Sequence, residues 1–118
     1  MNNLRNVGVI GEDIAIKYLQ ENGYEILERN FRAKTGEIDI IACINDIIVF
    51  IEVKARNNNR YGYPYEAVNY KKQQKIIKVA QNYIISRGLN NYQCRFDIIE
   101  VFLNLQSKVN HIENAFWT

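Results

Sequence analysis

Three carboxylates and one ammonium stand among the aliphatic residues of two runs, 37–44 and 47–54, in GEIDIIACINDIIVFIEVKAR, residues 36–56. The charged residues with a potential for chemistry are Glu37, Asp39, Glu52 and Lys54. Asn45-Asp46 separates two apolar runs, 37–44 and 47–54, and two turn-forming residues between such runs predict a tight β-hairpin. A buried hairpin rarely carries charges without a partner or a function.

A two-residue turn fixes the register of this hairpin. Asp39 then lies directly opposite Glu52, and Glu37 lies opposite Lys54. Opposed residues share a face, with Cβ atoms ~4.5–5.5 Å apart, and like charges there repel each other. The two carboxylates either share a proton or bind a cation, and such oxygen ligands suit Mg²⁺ or Mn²⁺. Lys54 projects to the same side as Glu52, where it could orient or deprotonate a water or neutralise a developing negative charge.

Glu12 is an anomaly of the first predicted helix, residues 10–22. It falls on the apolar face, between the directions of Ile16 and Leu19. Carboxylates are rarely buried unless they are paired or bind a metal. If this face packs on the hairpin, Glu12 becomes a third acidic ligand, directly or through water.

A structural explanation competes for each residue taken singly. Glu37 and Lys54 could form an ordinary cross-strand ion pair, and Asp39 and Glu52 could lie in solvent at strand ends. Taken together, however, Glu12, Asp39, Glu52 and Lys54 come from the first helix and the two strands of the hairpin. Ordinary ion pairs do not explain so many charges in apolar surroundings, which favours a functional site.

The motif of Asp39, twelve residues and then Glu52-Val53-Lys54 resembles the PD-(D/E)XK nucleases, which include restriction endonucleases and archaeal Holliday junction resolvases. Ile38 stands where many members have proline. The wider resemblance is to the YraN family of bacterial proteins, described as endonucleases of uncharacterised function. It rests on GEDIAIKYLQENGYEILERNFR, GEIDIIA, FIEVKAR and HIENAF, and covers nearly the whole chain.

This resemblance implies an α/β fold of the restriction endonuclease-like type, with a mixed central sheet flanked by helices. It implies Asp39 and Glu52 as ligands of Mg²⁺ or Mn²⁺, Lys54 as the catalytic lysine and Glu12 as the helix carboxylate of resolvase-like members. The expected activity is metal-assisted phosphodiester hydrolysis in DNA, including branched or structured DNA. A homodimer is expected because resolvase-like relatives dimerise.

The second predicted helix, residues 66–86, lies in a stretch without acidic residues between Glu66 and Asp97. The basic residues of that stretch are Lys71, Lys72, Lys75, Lys78, Arg87 and Arg95. They give one side of the molecule a positive field that suits phosphates, although a solvated lysine-rich helix explains them equally well. The residues predicted to bind substrate are Lys71, Lys72, Gln73 and Lys75 of this helix, and Arg56 and Arg60 of the predicted loop 55–65, which follows the second strand of the hairpin. The resemblance also marks Lys72-Gln73 as a pair at the start of this helix. Tyr61, Tyr63 and Tyr65 either stack on bases or pack within the loop.

The 118 residues predict one domain, 1–118, with elements in the order α-β-β-β-α-β-β. Beyond the hairpin and the two helices, strands are expected over 24–33, 92–103 and 108–116. No apolar run is long enough for a membrane span. The two cysteines, Cys43 and Cys94, favour a reduced, cytoplasmic setting over a disulfide framework.

Two other functions compete with nuclease activity: a nucleic-acid-binding module that does not cut, and an inert scaffold with surface ion pairs. The scaffold leaves Glu12 on its apolar face unexplained. His111 and Trp117 are predicted to be structural or exposed rather than functional.

Overall fold

The computed structural model describes residues 6–56, 68–103 and 108–116. Two helices and five strands follow the predicted order α-β-β-β-α-β-β: α1 Asn6–Glu21, β1 Glu25–Ala33, β2 Gly36–Ile44, β3 Ile47–Arg56, α2 Tyr70–Arg87, β4 Gln93–Phe102 and β5 Lys108–Ile112. The strands form one mixed sheet in the order β1-β2-β3-β4-β5. Only the β3–β4 pair is parallel in this sheet, and α2 makes the crossover between its strands. The mixed α/β fold expected from the sequence is confirmed.

Each face of the sheet is covered by one helix. On one face, Ala15 and Leu19 of α1 pack with Ile51 of β3. On the other face, α2 packs on Phe50 and Ile98. Because β3 is the central strand and is buried from both sides, it reads as a nearly continuous apolar run. The charged residues of β3, Glu52, Lys54 and Arg56, therefore follow after buried apolar residues of the same strand.

The β2–β3 turn has the chemistry that the sequence predicted. Asn45 and Asp46 have φ of 48° and 64°, as a type I′ turn requires. The ladder runs from Ile44 paired with Ile47 to Ile40 paired with Ile51. The predicted register is thus confirmed over this part of the hairpin.

Counted from the turn, the ladder ends at the Ile40–Ile51 pair and does not reach Asp39. The predicted pairs Asp39–Glu52 and Glu37–Lys54 do not belong to the ladder, so that part of the predicted register is wrong. In β2, Ile40 packs in the α1 cluster but Ile38 packs in the α2 cluster, although strict alternation would place both on one side. The strand therefore changes its facing at Asp39.

The neighbouring strand β1 changes its facing at the same level. The residue of β1 opposite Asp39 is Asn30, which has a left-handed φ of 55°. Asparagine tolerates that conformation better than most residues. Both strands are therefore irregular at the level where the pairing of β2 with β3 ends.

Both helices have N-termini that differ from the prediction. α1 starts at Asn6 rather than at residue 10; Arg29 of β1 donates a hydrogen bond to the Val9 carbonyl at 3.3 Å, so tertiary contact supports the extra turn. α2 starts at Tyr70 rather than at residue 66 because Asn69 is its N-cap and accepts a hydrogen bond from the Lys72 N–H at 2.9 Å. The predicted end of α2 is confirmed at Gly88, which is left-handed with φ 67°.

Two strand limits also differ. β3 continues to Arg56, so residues 55–56 of the expected loop are strand. β5 stops at Ile112 rather than at residue 116; Asn114 is left-handed and the Ala115 N–H binds the Phe96 carbonyl at 2.7 Å.

Within the described ranges no helix is long and apolar enough to cross a membrane. Cys43 and Cys94 are both free thiols, as expected.

Candidate active site

Asp39 lies where the pairing of β2 with β3 ends, and its side chain contacts the backbone of β3. Its Oδ2 accepts a hydrogen bond from the Val53 N–H at 2.8 Å. Burial raises the pKa of Asp39 to about 7, and the negative charges of Glu52 and Glu12 act in the same direction, whereas the Val53 hydrogen bond opposes them. Burial and the neighbouring carboxylates therefore disfavour the ionised form of Asp39, and a cation bound beside it would favour that form.

Glu52 is the second carboxylate, on the α2 side of the regularly alternating strand β3. The residue is only 8% exposed. Lys72 of α2 reaches it, with Nζ 2.6 Å from Oε2, while the Lys72 side chain stays 42% exposed. A nearly buried carboxylate needs such a cation or an equivalent one. Lys72 was predicted to bind substrate, and in this structure it is the counter-ion of Glu52.

These groups open onto a cleft of about 590 Å³ between the sheet and α2. Its charged lining residues are Glu37, Asp39 and Glu52 from the sheet and Lys71, Lys72 and Lys75 from α2. One wall is thus acidic and the other basic. Such a cleft can hold a cation on the sheet side and an anion on the helix side at the same time.

Glu37 lies at the cleft entrance and not beside Lys54. Its Oε2 is 3.2 Å from Nε of Arg32 on β1, and both side chains are well exposed. A surface pair of this kind contributes little to stability.

Glu12 approaches the site from α1. Its side chain is 15% exposed, and Oε1 accepts a hydrogen bond from Arg29 Nε at 3.2 Å. Asp13 also binds Arg29, at 2.7 Å. Glu12 is close enough for its charge to raise the pKa of Asp39, but the structure shows it as the partner of an arginine.

Gly11 allows α1 to lie this close to β3. A Cβ at Gly11 would stand 2.7 Å from the Ala55 Cβ, closer than carbon atoms can pack. Without that close approach, Glu12 could not reach the neighbourhood of Asp39.

Lys54 lies half-buried on β3 and is not among the described residues that line the cleft. Its neighbour on the parallel strand β4 is Glu100, which is 1% exposed. Arg56 donates from Nε to Glu100 Oε2 and is thereby held on the sheet rather than displayed to solvent. Glu100 was not predicted from the sequence, although a carboxylate inside the apolar run FDIIEVF is a signal for it.

The remaining predicted substrate residues divide into three groups. Lys71 and Lys75 are exposed on the rim of the cleft. Gln73 turns back to donate from Nε2 to the Val68 carbonyl at 2.8 Å, so it supports the start of α2. Arg60 lies outside the described residues, as do the loop tyrosines and Trp117.

A second buried polar cluster, which the sequence analysis did not predict, lies on the α1 side of the sheet around Asp97. Asp97 is fully buried and accepts from Arg95 Nη2 at 2.9 Å and from the Asn114 N–H at 3.1 Å. His111 Nε2 stands 2.7 Å from its Oδ2, and His111 Nδ1 stands 2.9 Å from the Tyr18 hydroxyl.

Asp97 is ionised in this cluster. Burial alone would raise the pKa of Asp97, but the hydrogen bonds from His111, Arg95 and Asn114 outweigh it and hold the pKa below its ordinary value. His111 is thus structural, one of the two roles predicted for it. No signal in the sequence linked it to Asp97 or Tyr18.

The donor set of the cleft suits a hard divalent cation. Two adjacent carboxylates, Asp39 and Glu52, provide oxygen ligands. Burial and, after it, the charge of Glu52 raise the pKa of Asp39, and a bound cation would favour the ionised form. In the part of the chain that the structure describes, no three His, Cys, Asp or Glu side chains group closely enough to hold a metal. Glu12 is therefore not a ready-made third ligand in this conformation.

Comparison with known proteins places this architecture in a family. The model of the uncharacterised protein family UPF0102 matches residues 11–101, from Gly11 of α1 to Val101 of β4. The chain belongs to UPF0102. Family members with high similarity include a UPF0102 protein of Caldanaerobacter subterraneus subsp. tengcongensis, 55% identical over 97% of both chains. Another, from Clostridioides difficile, is 54% identical over 98% of this chain and all of its own.

A more distant source gives a similar match: a UPF0102 protein of Persephonella marina is 50% identical over 92% of this chain and 91% of its own. The YraN-like resemblance of the sequence is confirmed as membership of UPF0102. The matched segment contains Glu12, Asp39, Glu52, Lys54 and Lys72.

Proposed function

We propose that this UPF0102 protein is a metal-dependent nuclease of the restriction endonuclease-like type that hydrolyses phosphodiester bonds in DNA. The observation that carries the proposal is the pair Asp39–Glu52 at the base of a cleft whose opposite wall is lined by lysines. An acidic wall suits a metal ion and a basic wall suits a phosphate. Metal-assisted hydrolysis of a phosphodiester uses a metal ion beside the reacting phosphate, and cationic side chains can hold that phosphate in place.

Asp39 and Glu52 would hold Mg²⁺ or Mn²⁺, which supplies an activated water and positive charge for the pentacovalent phosphorane. The Val53 N–H fixes Oδ2 of Asp39, and the side-chain hydrogen bond between Asp39 and Glu52 places the two carboxylates within reach of one ion. Lys54, two residues beyond Glu52 on the same side of β3, assists the attack on phosphorus by moving a proton or neutralising charge. Glu12 acts at longer range by adding negative charge to the metal position.

Lys71 and Lys75 provide the phosphate-binding surface. Both lie exposed at the cleft and belong to a helix without acidic residues, so they attract the DNA backbone without reading its sequence. Branched or structured DNA is the proposed substrate form, and a homodimer the proposed assembly, because of the resolvase-like resemblance. A cytoplasmic setting is consistent with the free thiols of Cys43 and Cys94.

The test is cleavage of branched, nicked and single-stranded DNA with Mg²⁺ or Mn²⁺, by wild type and by Asp39→Asn and Lys54→Met. Each substitution is expected to lower the cleavage rate by about 10²- to 10⁴-fold while DNA affinity is kept. Thermal unfolding of each variant controls for folding. Cleavage that persists in folded Asp39→Asn would refute the proposed site.

A non-catalytic nucleic-acid-binding module is the second candidate. Two observations favour it: Lys72 already neutralises Glu52, and Lys54 does not line the cleft. This function predicts DNA affinity that falls with added salt and with Lys71→Ala or Lys75→Ala, and that metal does not change. Metal-dependent cutting by the wild type would exclude it.

A further inference from the structure

The ion pair between Lys72 and Glu52 has the properties of a replaceable contact. Lys72 Nζ lies 2.6 Å from Glu52 Oε2, yet the lysine side chain is 42% exposed while that of Glu52 is 9% exposed. The Lys72 backbone is anchored, because its N–H is bound by the Asn69 cap at 2.9 Å. The ammonium is thus the mobile partner, on a flexible stem attached to a fixed helix start.

A divalent ion on Asp39 and Glu52 would occupy the same carboxylate that Lys72 now neutralises. Two cations in contact with one carboxylate repel each other strongly in a poorly solvated site. Binding of the metal by Asp39 and Glu52 would therefore favour release of the Lys72 ammonium from Glu52.

The displaced ammonium remains in a cleft that already contains the exposed lysines Lys71 and Lys75. A third ammonium on that wall is unfavourable by itself, and an anion relieves it. The anion that a phosphodiester substrate brings is a phosphate oxygen, for which lysine is a suitable point-charge partner.

We infer that Lys72 is an exchange residue: it neutralises Glu52 in the metal-free site and transfers to substrate phosphate when the metal binds. This inference rests on the proposed function and adds its regulation. Metal and phosphodiester then bind with positive coupling, because each favours the position of Lys72 that the other requires. The resting protein consequently binds metal weakly until a phosphodiester is present.

The test is calorimetric titration of Mn²⁺ into wild type, Lys72→Met and Lys71→Met, each checked for folding by thermal unfolding. Methionine keeps the length of the stem and removes the charge. Lys71→Met is the matched control, since it removes one ammonium from the same cleft. Lys72→Met is expected to bind Mn²⁺ at least tenfold more tightly than wild type, and Lys71→Met within about threefold of it.

The coupling is measured by repeating the titrations with dimethyl phosphate, a phosphodiester too small to contact the rest of the protein, against sodium chloride at equal ionic strength. Dimethyl phosphate is expected to tighten Mn²⁺ binding in wild type and to have no such effect in Lys72→Met.

Equal Mn²⁺ affinity in wild type and Lys72→Met would overturn the exchange while leaving the metal site intact. An equal gain in Mn²⁺ affinity in Lys71→Met would also overturn the exchange, because the gain would then follow from the removal of any one positive charge from the cleft. Absence of Mn²⁺ binding in all three proteins would overturn the proposed metal site itself.

Discussion

The Asp39 carboxylate accepts the Val53 backbone N–H at 2.8 Å, at the point where the β2–β3 ladder stops. The side chain thereby supplies an acceptor for Val53 beyond the last paired residues of the ladder, Ile40 and Ile51. This contact fixes the orientation of the Asp39 carboxylate, whose pKa is raised by burial and by the neighbouring carboxylates. The binding of a cation and the stability of the sheet are therefore linked through one residue.

This linkage predicts a pH effect on stability. The folded-state pKa of Asp39, about 7, lies above the ordinary value of 3.8, so the folded protein binds more protons than the unfolded one between those values. The free energy of unfolding then falls as pH rises through this window. Asp39→Asn keeps an acceptor for Val53 and removes the charge, so it should stabilise the protein at pH 8 by on the order of 2 kcal/mol and change little at pH 3.5.

Urea unfolding at several pH values measures this difference. Asp46→Asn, in the exposed β2–β3 turn, is the control for removing a carboxylate from the same hairpin. If Asp39→Asn gives the same difference from wild type at every pH, ionisation of Asp39 does not destabilise the fold.

Mn²⁺ should stabilise the fold through the same residue. At a Mn²⁺ concentration of about 100 times Kd, the unfolding free energy of wild type is expected to rise by about 2.7 kcal/mol. Asp39→Asn and Glu52→Gln should lose this gain, whereas Glu37→Gln, which alters an exposed carboxylate paired with Arg32, should retain most of it. Thermal unfolding with and without chelator measures the effect, and a gain that survives in Glu52→Gln would place the ion elsewhere.

The close approach of α1 to β3 predicts opposite effects at two glycines of one helix. Gly11→Ala would place its Cβ 2.7 Å from the Ala55 Cβ and should destabilise the protein by about 1–3 kcal/mol. Gly8→Ala meets nothing within 4 Å and should stabilise it by up to about 1 kcal/mol. Denaturant midpoints of both variants test this, and a neutral Gly11→Ala would mean that the helix can shift away without cost.

The Asp97 cluster predicts a large loss of stability from one buried carboxylate. Asp97→Ala leaves the mostly buried Arg95 without its principal partner and should cost about 3–5 kcal/mol. Glu113→Gln is the contrasting change: Glu113 is an exposed partner of the same Arg95, at 3.5 Å, and its loss should cost under about 1 kcal/mol. Urea unfolding of both variants would contradict this ranking if the two losses were similar.

Local chemistry explains what could be predicted from the sequence. The hairpin register follows from the Asn45-Asp46 turn and a period of two, both of which act over a few residues. The core face of α2 follows in the same way from helical periodicity, and Ile76, Ala80 and Tyr83 are buried as expected. Asp39 and Glu52 lie close together because the hairpin register brings β2 and β3 side by side up to the Ile40–Ile51 pair, the last one before them.

Contacts between distant elements account for the rest. Lys72 was expected to face phosphate, but its distance to Glu52 depends on how the crossover helix lies on β3, which no local pattern specifies. Arg56 was expected in a loop and instead binds Glu100 because β3 extends further along β4. The change of facing at Asp39 depends on the left-handed Asn30 of another strand.

The Asp97 cluster also bears on the order in which the chain acquires its structure during synthesis. Tyr18 and His111, which meet through one hydrogen bond, are 93 residues apart in sequence. Until the ribosome has released the segment through Asn114, Asp97 lacks two of its donors and the sheet lacks β5. Such distant pairings form late and slow the folding reaction. A nascent chain that stalls before β5 is therefore expected to lack the contact between Tyr18 and His111 that joins α1 to the last strand, although every residue that lines the cleft has already been synthesised.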